Sequence, residues 1–600
     1  MEALPIALPL LAAALLAAIG SHVPRRVSDA IALLATAASA VFSFVLLARS
    51  RHGMLTYWLG GWQPRQGVAI GIVLAVDPIG AGLAALSGVL VFAALLFAMR
   101  LFDDVHAHFH VLMLAFLGAL CGFGLTGDLF NLFVWFELMS AAGFALCGYK
   151  IEETASIQGA INFAVVNTIG AFLVLTGIAL LYGRTGALNL VQIGRALPGA
   201  DGLVLVSFAL IACGFLVKGA MFPFHFWLAD AHAVAPTPVC VLFSGVMVEA
   251  GLYAVARVYG TVFAGPLGAH HARLRALFLA FGALTAIVGA LLCFAQRHLK
   301  RLLAFSTISH VGALIAAFAL LEPRALSGAS LYVVGHGLMK GALFLCVGIL
   351  LHRLQSVDEL ALHGRGRSLA GVGILFALGG IWLSGVAPAG LFLGESEVEK
   401  AAKELGLPWV PWLFVFVGAL TGGAVLRAAA RIFLGWGVST PDAPDVGGET
   451  DEAPETRGPR RIPATMWAAA AMLVLLSVAI GVAPGARSVA HEAAAHFLDP
   501  HGTAAHVLDG AAQAPVASHE EPLTKEVPRS LLNGAIALAL AALALFRHRL
   551  PSAVRSLGAA LWAPPVRLLR ETHTGRVGDY VAWLAFGTAA FGGLCAALLR

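Results

Sequence analysis

The sequence predicts an all-α polytopic membrane protein, on three observations. Hydrophobic residues make up 59 per cent of the 600-residue chain and charged residues only 12 per cent, against roughly a quarter charged in an ordinary soluble domain. Apolar runs of about 20 residues, long enough to cross roughly 30 Å of hydrocarbon as helices, follow one another along the chain. The runs are continuous and rich in Ala, Leu, Val and Gly, whereas a membrane barrel alternates apolar and polar residues over segments of about 10.

In order, the runs place helices near 4–20, 28–48, 77–99, 108–126, 128–148, 156–182, 203–226, 236–260, 275–295, 302–321, 327–352, 369–393, 409–436, 463–485, 528–546 and 578–599. About 14–16 transmembrane helices follow, 16 if every run crosses. The first run has Glu2 as its only charge and lacks a basic leader, so it reads as a membrane helix rather than a signal peptide. Pro223 breaks the helix near 203–226, and Pro236 and Pro238 mark a restart, giving a discontinuous helix near 203–238. A second break is expected near 369–395, where Gly379, Gly380, Gly385, Pro388, Gly390 and Gly394 punctuate the run ending at Glu395.

Two polar stretches divide the remainder. An acidic linker at 437–462 separates a core from an extension, 463–600, which contains a polar loop at 487–527 rich in His and Ala. Residues 1–107 read as N-terminal transmembrane helices and 108–436 as the core, with a repeated layout over about 108–260 and 275–436. Pro564 and Pro565 interrupt 550–575, so no long amphipathic helix is expected there. Six Arg between 547 and 576, and the short QRHLKR connection at 296–301, put these segments on the cytoplasmic side and both termini on the other.

Several functions find no footing. The net charge of +5 is spread over loops, so nucleic acid is excluded as a partner. All seven cysteines lie in apolar runs with no CxxC, which argues against disulfides, metal fingers and iron–sulfur sites. GFGLTG at 122–127 has the spacing of a nucleotide loop but no preceding strand. Arg427 and Arg431 share a face near a helix end and are expected to snorkel. No cofactor is expected in this chain.

The chemistry-bearing residues are those that a membrane span should not contain. An ionisable group at the bilayer centre costs at least about 2.5–3.5 kcal/mol on insertion scales. Glu137, Lys218, Glu249, His310, His336, Lys340 and Glu395 nevertheless occur at roughly one per helix through the centre of the chain. Carboxylate, amine and imidazole in series point to a proton relay. His336 and Lys340 are four residues apart and share a helix face. His225 and His232 flank the break after Lys218 and are candidate access groups, and Glu137 is a candidate counter-charge for Lys218.

DLFNLFVWFELMS (128–140), VKGAMFPFHFWLADAHAVAPTPV (217–239), LLAFSTISHVG (302–312) and HGLMKGALFLCVG (336–348) resemble a known family over about 75–436. It comprises the antiporter-like membrane subunits of respiratory complex I, membrane-bound hydrogenases and multisubunit Mrp sodium/proton antiporters. The resemblance implies a fourteen-helix core of two inverted five-helix repeats with discontinuous seventh and twelfth helices. Glu137 and Lys218 then match the family's fifth-helix glutamate and seventh-helix lysine. His310 falls on the tenth helix, His336 and Lys340 on the eleventh, and Glu395 at the charged position of the twelfth. Two departures stand out: Glu249 occupies a position where the family commonly has lysine, and Ala387 replaces the first proline of the usual GxPP.

The resemblance implies a proton-translocating membrane subunit of a complex I-like NADH:quinone oxidoreductase or membrane hydrogenase, with other membrane subunits as partners and quinone reached only through them. The alternatives are a subunit of an Mrp-type Na+/H+ antiporter and a non-conducting structural subunit. The expected location is a bacterial inner (plasma) membrane.

Overall fold

The computed structural model describes residues 1–599 apart from 100, 102–106, 439–451, 453, 456–460, 512, 514–522, 524 and 525. The acidic linker is thus described only in part. Helices α1 (Leu4–Ile19) and α2 (Arg25–Ser50) lead into an antiparallel ribbon of β1 (Leu55–Trp58) and β2 (Val73–Val76). The apolar runs give no sign of this ribbon. It forms because β2 is buried along its whole length while β1 presents two exposed residues. α3 (Pro78–Ala98) follows, opened by Asp77, whose carboxylate accepts from the Gly80 N–H at 2.8 Å.

The core then unrolls as α4 (His108–Leu125), α5 (Leu129–Cys147), α6 (Thr154–Thr185), a short α7 (Leu190–Ala196), and the broken pair α8 (Gly202–Lys218) and α9 (Phe226–Val234). α10 (Thr237–Leu242) and α11 (Val248–Val258) are joined by a π-helical turn at Phe243–Met247, and another at Tyr259–Phe263 completes one 27-residue span. A second set repeats this layout: α12 (His271–Ala295), α13 (Leu299–Ala319), α14 (Pro323–Leu354), the broken pair α15 (Ala370–Leu383) and α16 (Gly390–Glu404), and α17 (Val410–Ala429). Each set crosses the membrane an odd number of times, so the second enters from the face opposite to the first. The extension supplies α18 (Ala464–Val482), α19 (Ala486–Phe497), α20 (Pro500–Asp509), α21 (Val527–Leu545), α22 (Ser552–Thr572) and α23 (Val577–Leu598).

Among the described residues, thirteen helices are long and apolar enough to cross a membrane, and three shorter apolar ones are α1, α8 and α15. These account for the sixteen apolar runs, and two of the short ones are the first halves of broken helices. Both breaks thus fall where Pro and Gly place them.

Three expectations change. The stretch 487–527 is not simply a polar loop, because α19 and α20 occupy much of it. The segment 550–575 holds a continuous amphipathic helix, α22, despite Pro564 and Pro565. Val554, Leu557, Leu561 and Leu568 make an exposed apolar stripe, and Val566 is its one buried residue. Arg427 and Arg431 do not snorkel. Both are buried on Glu359, with Arg427 Nη2 and Arg431 Nη1 each 2.8 Å from its carboxylate, and Arg427 also donates to the carbonyls of Phe294 and Gln296.

Two further ionic groups fasten the face that carries the 296–301 loop. Lys150 and Lys300 each lie 2.6 Å from Glu452 of the linker, and Glu455 accepts from the Thr237 N–H and hydroxyl at 3.0 Å. Asp230 of α9 accepts from Tyr580 at 2.7 Å, pairs with His573 at 3.2 Å, and takes Asn162 at 3.2 Å. On the opposite face Arg257 pairs with Asp77 and lies 4.0 Å from the Phe497 ring centroid.

Removing one partner of a buried ion pair strands the other, at about 3–5 kcal/mol. Arg427→Met should therefore destabilise the chain by an amount of that order, seen as a lowered unfolding midpoint in detergent, whereas substitution of exposed Arg555 should leave it in place.

Candidate functional site

The first break places Lys218. α8 stops because Ala220 takes a left-handed φ of +51° and Pro223 follows. The freed backbone groups are taken up locally: Trp227 Nε1 donates to the Val217 carbonyl at 3.0 Å, and the Phe222 N–H donates to Thr285 Oγ1 at 3.1 Å. Lys218 is fully buried, donates to Ser140 Oγ at 2.7 Å, and lies 4.8 Å from the Phe136 ring centroid and 5.2 Å from that of Phe163. A hydroxyl and aromatic faces thus stand in for water.

Glu137 is not the contact partner of Lys218. The ammonium binds Ser140, three residues along the same helix as Glu137. Glu137 is only partly buried and remains within electrostatic reach, so the two interact through space rather than by contact.

Where the two helix sets meet, glycines bring a second group together. α14 crosses the 27-residue span at Gly337 and Gly245; a Cβ on Gly337 would fall 2.4 Å from the Gly245 carbonyl oxygen. Nothing larger fits, and the close crossing sets Glu249 Oε1 2.8 Å from His336 Nδ1. His336 lies beside His310, ring centroids 4.9 Å apart and planes tilted by 36°. His310 in turn lies 2.6 Å from the Tyr332 hydroxyl through Nδ1 and 3.1 Å from Thr421 Oγ1 through Nε2. Lys340, one turn beyond His336, donates to the Leu303 carbonyl. His232 stacks on Phe344 at 4.7 Å, four residues further along α14.

Glu395 sits just after the second break. Gly385 has φ +82°, and a Cβ there would come within 2.2 Å of Glu395 Oε2, so this turn needs glycine on both counts. Asn533 of α21 donates to Glu395 Oε1 at 3.2 Å, and Arg529 pairs with Glu399 at 2.8 Å one turn on.

The structure therefore gathers Glu249, His336, His310 and Lys340 into one cluster at mid-membrane, with His232 on its flank. Lys218 and Glu137 form a second group. Between them runs a wall of rings: Phe163 stacks on Trp227 at 4.5 Å and meets Phe243 at 5.4 Å, and Phe243 meets His232 at 6.0 Å. His225 joins neither group; it is buried beside Phe226, and neither ring nitrogen has a hydrogen-bond partner among the described residues. Ser140, Tyr332, Thr421 and Asn533 are additions that the sequence reading does not contain. Tyr332 carries a signal, because it precedes His336 by four residues and Lys340 by eight, on one helical stripe.

Buried line and broken helices define a class: a polytopic membrane subunit with a titratable axis in the plane of the bilayer. The family described as NADH:quinone oxidoreductase/Mrp antiporter, TM, matches residues 126–421. A probable K+/H+ antiporter component of Rhizobium meliloti is 31% identical over 72% of this chain and 85% of its own length. An Na+/H+ antiporter component of Bacillus subtilis is 29% identical over 73% and 88%, and an NADH-quinone oxidoreductase component of Desulforudis audaxviator is 33% identical over 49% and 58%. Among solved structures, a chain of the Mrp complex from Dietzia sp. superposes with a TM-score of 0.73 at 24% identity, covering 84% of this chain and 99% of that one. A chain of Thermus thermophilus respiratory complex I gives 0.61 at 24% identity, covering 80% and 97%, and so shares the fold. The chain belongs to the NADH:quinone oxidoreductase/Mrp antiporter transmembrane family.

A buried polar atom that loses its hydrogen-bond partner costs about 1–3 kcal/mol. Tyr332→Phe keeps the ring against Phe414 but strips His310 Nδ1 of its hydroxyl, so a loss of that size is expected in detergent unfolding, with native secondary structure retained.

Proposed function

We propose that this chain is the proton-translocating membrane subunit of a multisubunit complex. The observation that carries this reading is the Glu249–His336–His310–Tyr332 cluster, an unbroken run of hydrogen bonds and ring contacts at mid-membrane, flanked by Lys218 and Glu395 beside the two breaks. A structural bundle has no need of imidazole, carboxyl and amine groups held at such cost. Charge moved near Glu137 by a partner subunit shifts the proton affinity of Lys218; the proton passes by way of Lys340, Glu249, His336 and His310 to Glu395. Breaks in α8–α9 and α15–α16 let backbone groups and water reach the axis at each end. His225 and His232 lie on the access side.

The chain itself contributes no redox chemistry to this reading; a redox-driven complex would contact quinone only through other subunits. A second reading, cation/proton antiport with Na+ or K+ as the exchanged ion, draws support from the two antiporter relatives, which align with over seventy per cent of the chain. A purely structural role is disfavoured because Glu249 is hydrogen-bonded at the centre of the line rather than isolated. The arginines of 547–576 and the 296–301 loop support this face as cytoplasmic with both termini outside, and the bacterial relatives favour a bacterial plasma membrane.

Lys218→Ala in the assembled complex should abolish proton flux while leaving assembly intact; full flux would overturn the relay. Flux in vesicles driven by an imposed Na+ or K+ gradient, against flux driven by electron donor and quinone, separates the two drives, as do flavin and iron–sulfur subunits in the purified complex.

A further inference from the structure

Glu249 has a second face. Oε1 is held by His336, but Oε2 is buried without a hydrogen-bond partner among the described residues. The Glu249 side chain lines a cavity of about 170 Å³ between α3, α11, α14 and α19. The cavity reaches Phe318 at the end of α13, Leu326 at the start of α14 and Phe497 at the end of α19. Those residues lie across the membrane from the 296–301 loop, because α13 begins beside that loop and spans from it. Glu249 itself is near the middle of the span Thr237–Phe263. The cavity therefore runs from mid-membrane toward the opposite face.

Its wall on one side belongs to the extension. Ala486, Val489, Ala490, Ala493 and Phe497 recur at helical spacing and form one face of α19. Leu83 and Leu86 of α3 and Val334 of α14 face them. Glu249 is the one charged side chain among the described residues of the lining. His336, His310 and Lys340 approach from the α13 and α14 side, and Tyr253, one turn along α11, lines the same cavity with its hydroxyl held by Arg257 and the Gly124 carbonyl.

We propose that Glu249 exchanges its proton with the face opposite the 296–301 loop, through this vestibule roofed by α19. The inference rests on the proton-translocation reading above. Loaded, Glu249 is a neutral acid that an apolar wall tolerates, whereas a loaded lysine at the same place would be a cation that it does not. On release the carboxylic O–H bond breaks, its proton passes to a water molecule to give hydronium, and the carboxylate remains. It is reloaded when protonated His336 gives up the Nδ1 proton to Oε1 and returns to neutral imidazole. An apolar passage gates by wetting and drying; the Glu249 carboxyl at its inner end is the polar group that a column of water meets once the passage wets.

The test uses the full chain in its complex, in sealed vesicles of both orientations. Val334→Cys should react with a charged, membrane-impermeant methanethiosulfonate added to the face opposite the 296–301 loop and not to the other. Adding Ala490→Trp, which fills the vestibule, should abolish that reaction and proton flux together; if the tryptophan prevents assembly, Ala493→Leu serves as the smaller plug. Reaction of Val334→Cys with a lipid-soluble maleimide alone would mean the cavity is a lipid crevice, and the proposal fails. Blocked labelling with undiminished flux would overturn it too. The labelling needs no transport, so it reads the vestibule even if Lys218→Ala leaves flux intact and the relay itself falls.

Discussion

The contact between Glu249 Oε1 and His336 Nδ1, 2.8 Å apart, exists because two helices cross backbone to backbone at Gly245 and Gly337. That crossing joins the two five-crossing sets, and the rest of the polar axis hangs from α14. Tyr332, His336, Lys340 and Phe344 follow one another along its face at intervals of four. One helix thus presents a hydroxyl to His310, an imidazole to Glu249 and a ring to His232. Moving α14 away by one methyl group would leave the buried Glu249 carboxyl without its hydrogen-bond partner, a loss of about 1–3 kcal/mol. Small residues at a membrane helix crossing are therefore what let the buried polar groups pair, not only what makes the packing tight.

Lys218 solves the same problem differently. It has no counter-ion in contact among the described residues, but a serine hydroxyl and the faces of Phe136 and Phe163 surround it. Such a site stabilises an ammonium less than a carboxylate contact would. Its charge is correspondingly sensitive to a through-space change at Glu137. The rings of Phe163, Trp227 and Phe243 also separate Lys218 from His232, so passage between the two groups requires that this wall wet or shift. Separation of the groups is as much a part of the device as their connection.

What the sequence made legible follows from cost. Prolines and glycines in apolar runs announce breaks because few other reasons exist for them, and charges in those runs announce a function because each is expensive. Lys218, Glu249, His336 and Glu395 could be picked out as candidates on that ground alone. Partners that any polar residue could supply were invisible: Ser140, Thr421 and Asn533 carry no signal of their own. Long-range pairing was equally hidden. Arg427 and Arg431 look like interfacial arginines until Glu359, some seventy residues away, is brought beneath them. α22 is hidden because two adjacent prolines stop a helix in water, yet here Pro564 and Pro565 lie within one continuous helix. The ribbon of β1 and β2 escapes because four-residue strands are too short for a periodicity to show.

The extension touches the core on both faces, and at places that matter to the axis. On the loop side His573 and Tyr580 hold Asp230, which sits on α9 just past the first break. On the other side α19 closes the wall beside Glu249, and Phe497 at its end stacks on Arg257, which is anchored to Asp77. Within the membrane, Asn533 of α21 reaches Glu395 beside the second break. Broken helices gain access to water at the expense of backbone hydrogen bonds, so their half-helices need fastening from outside. A chain that supplies those fasteners from its own C-terminal helices fixes both breaks and the central carboxylate relative to one another.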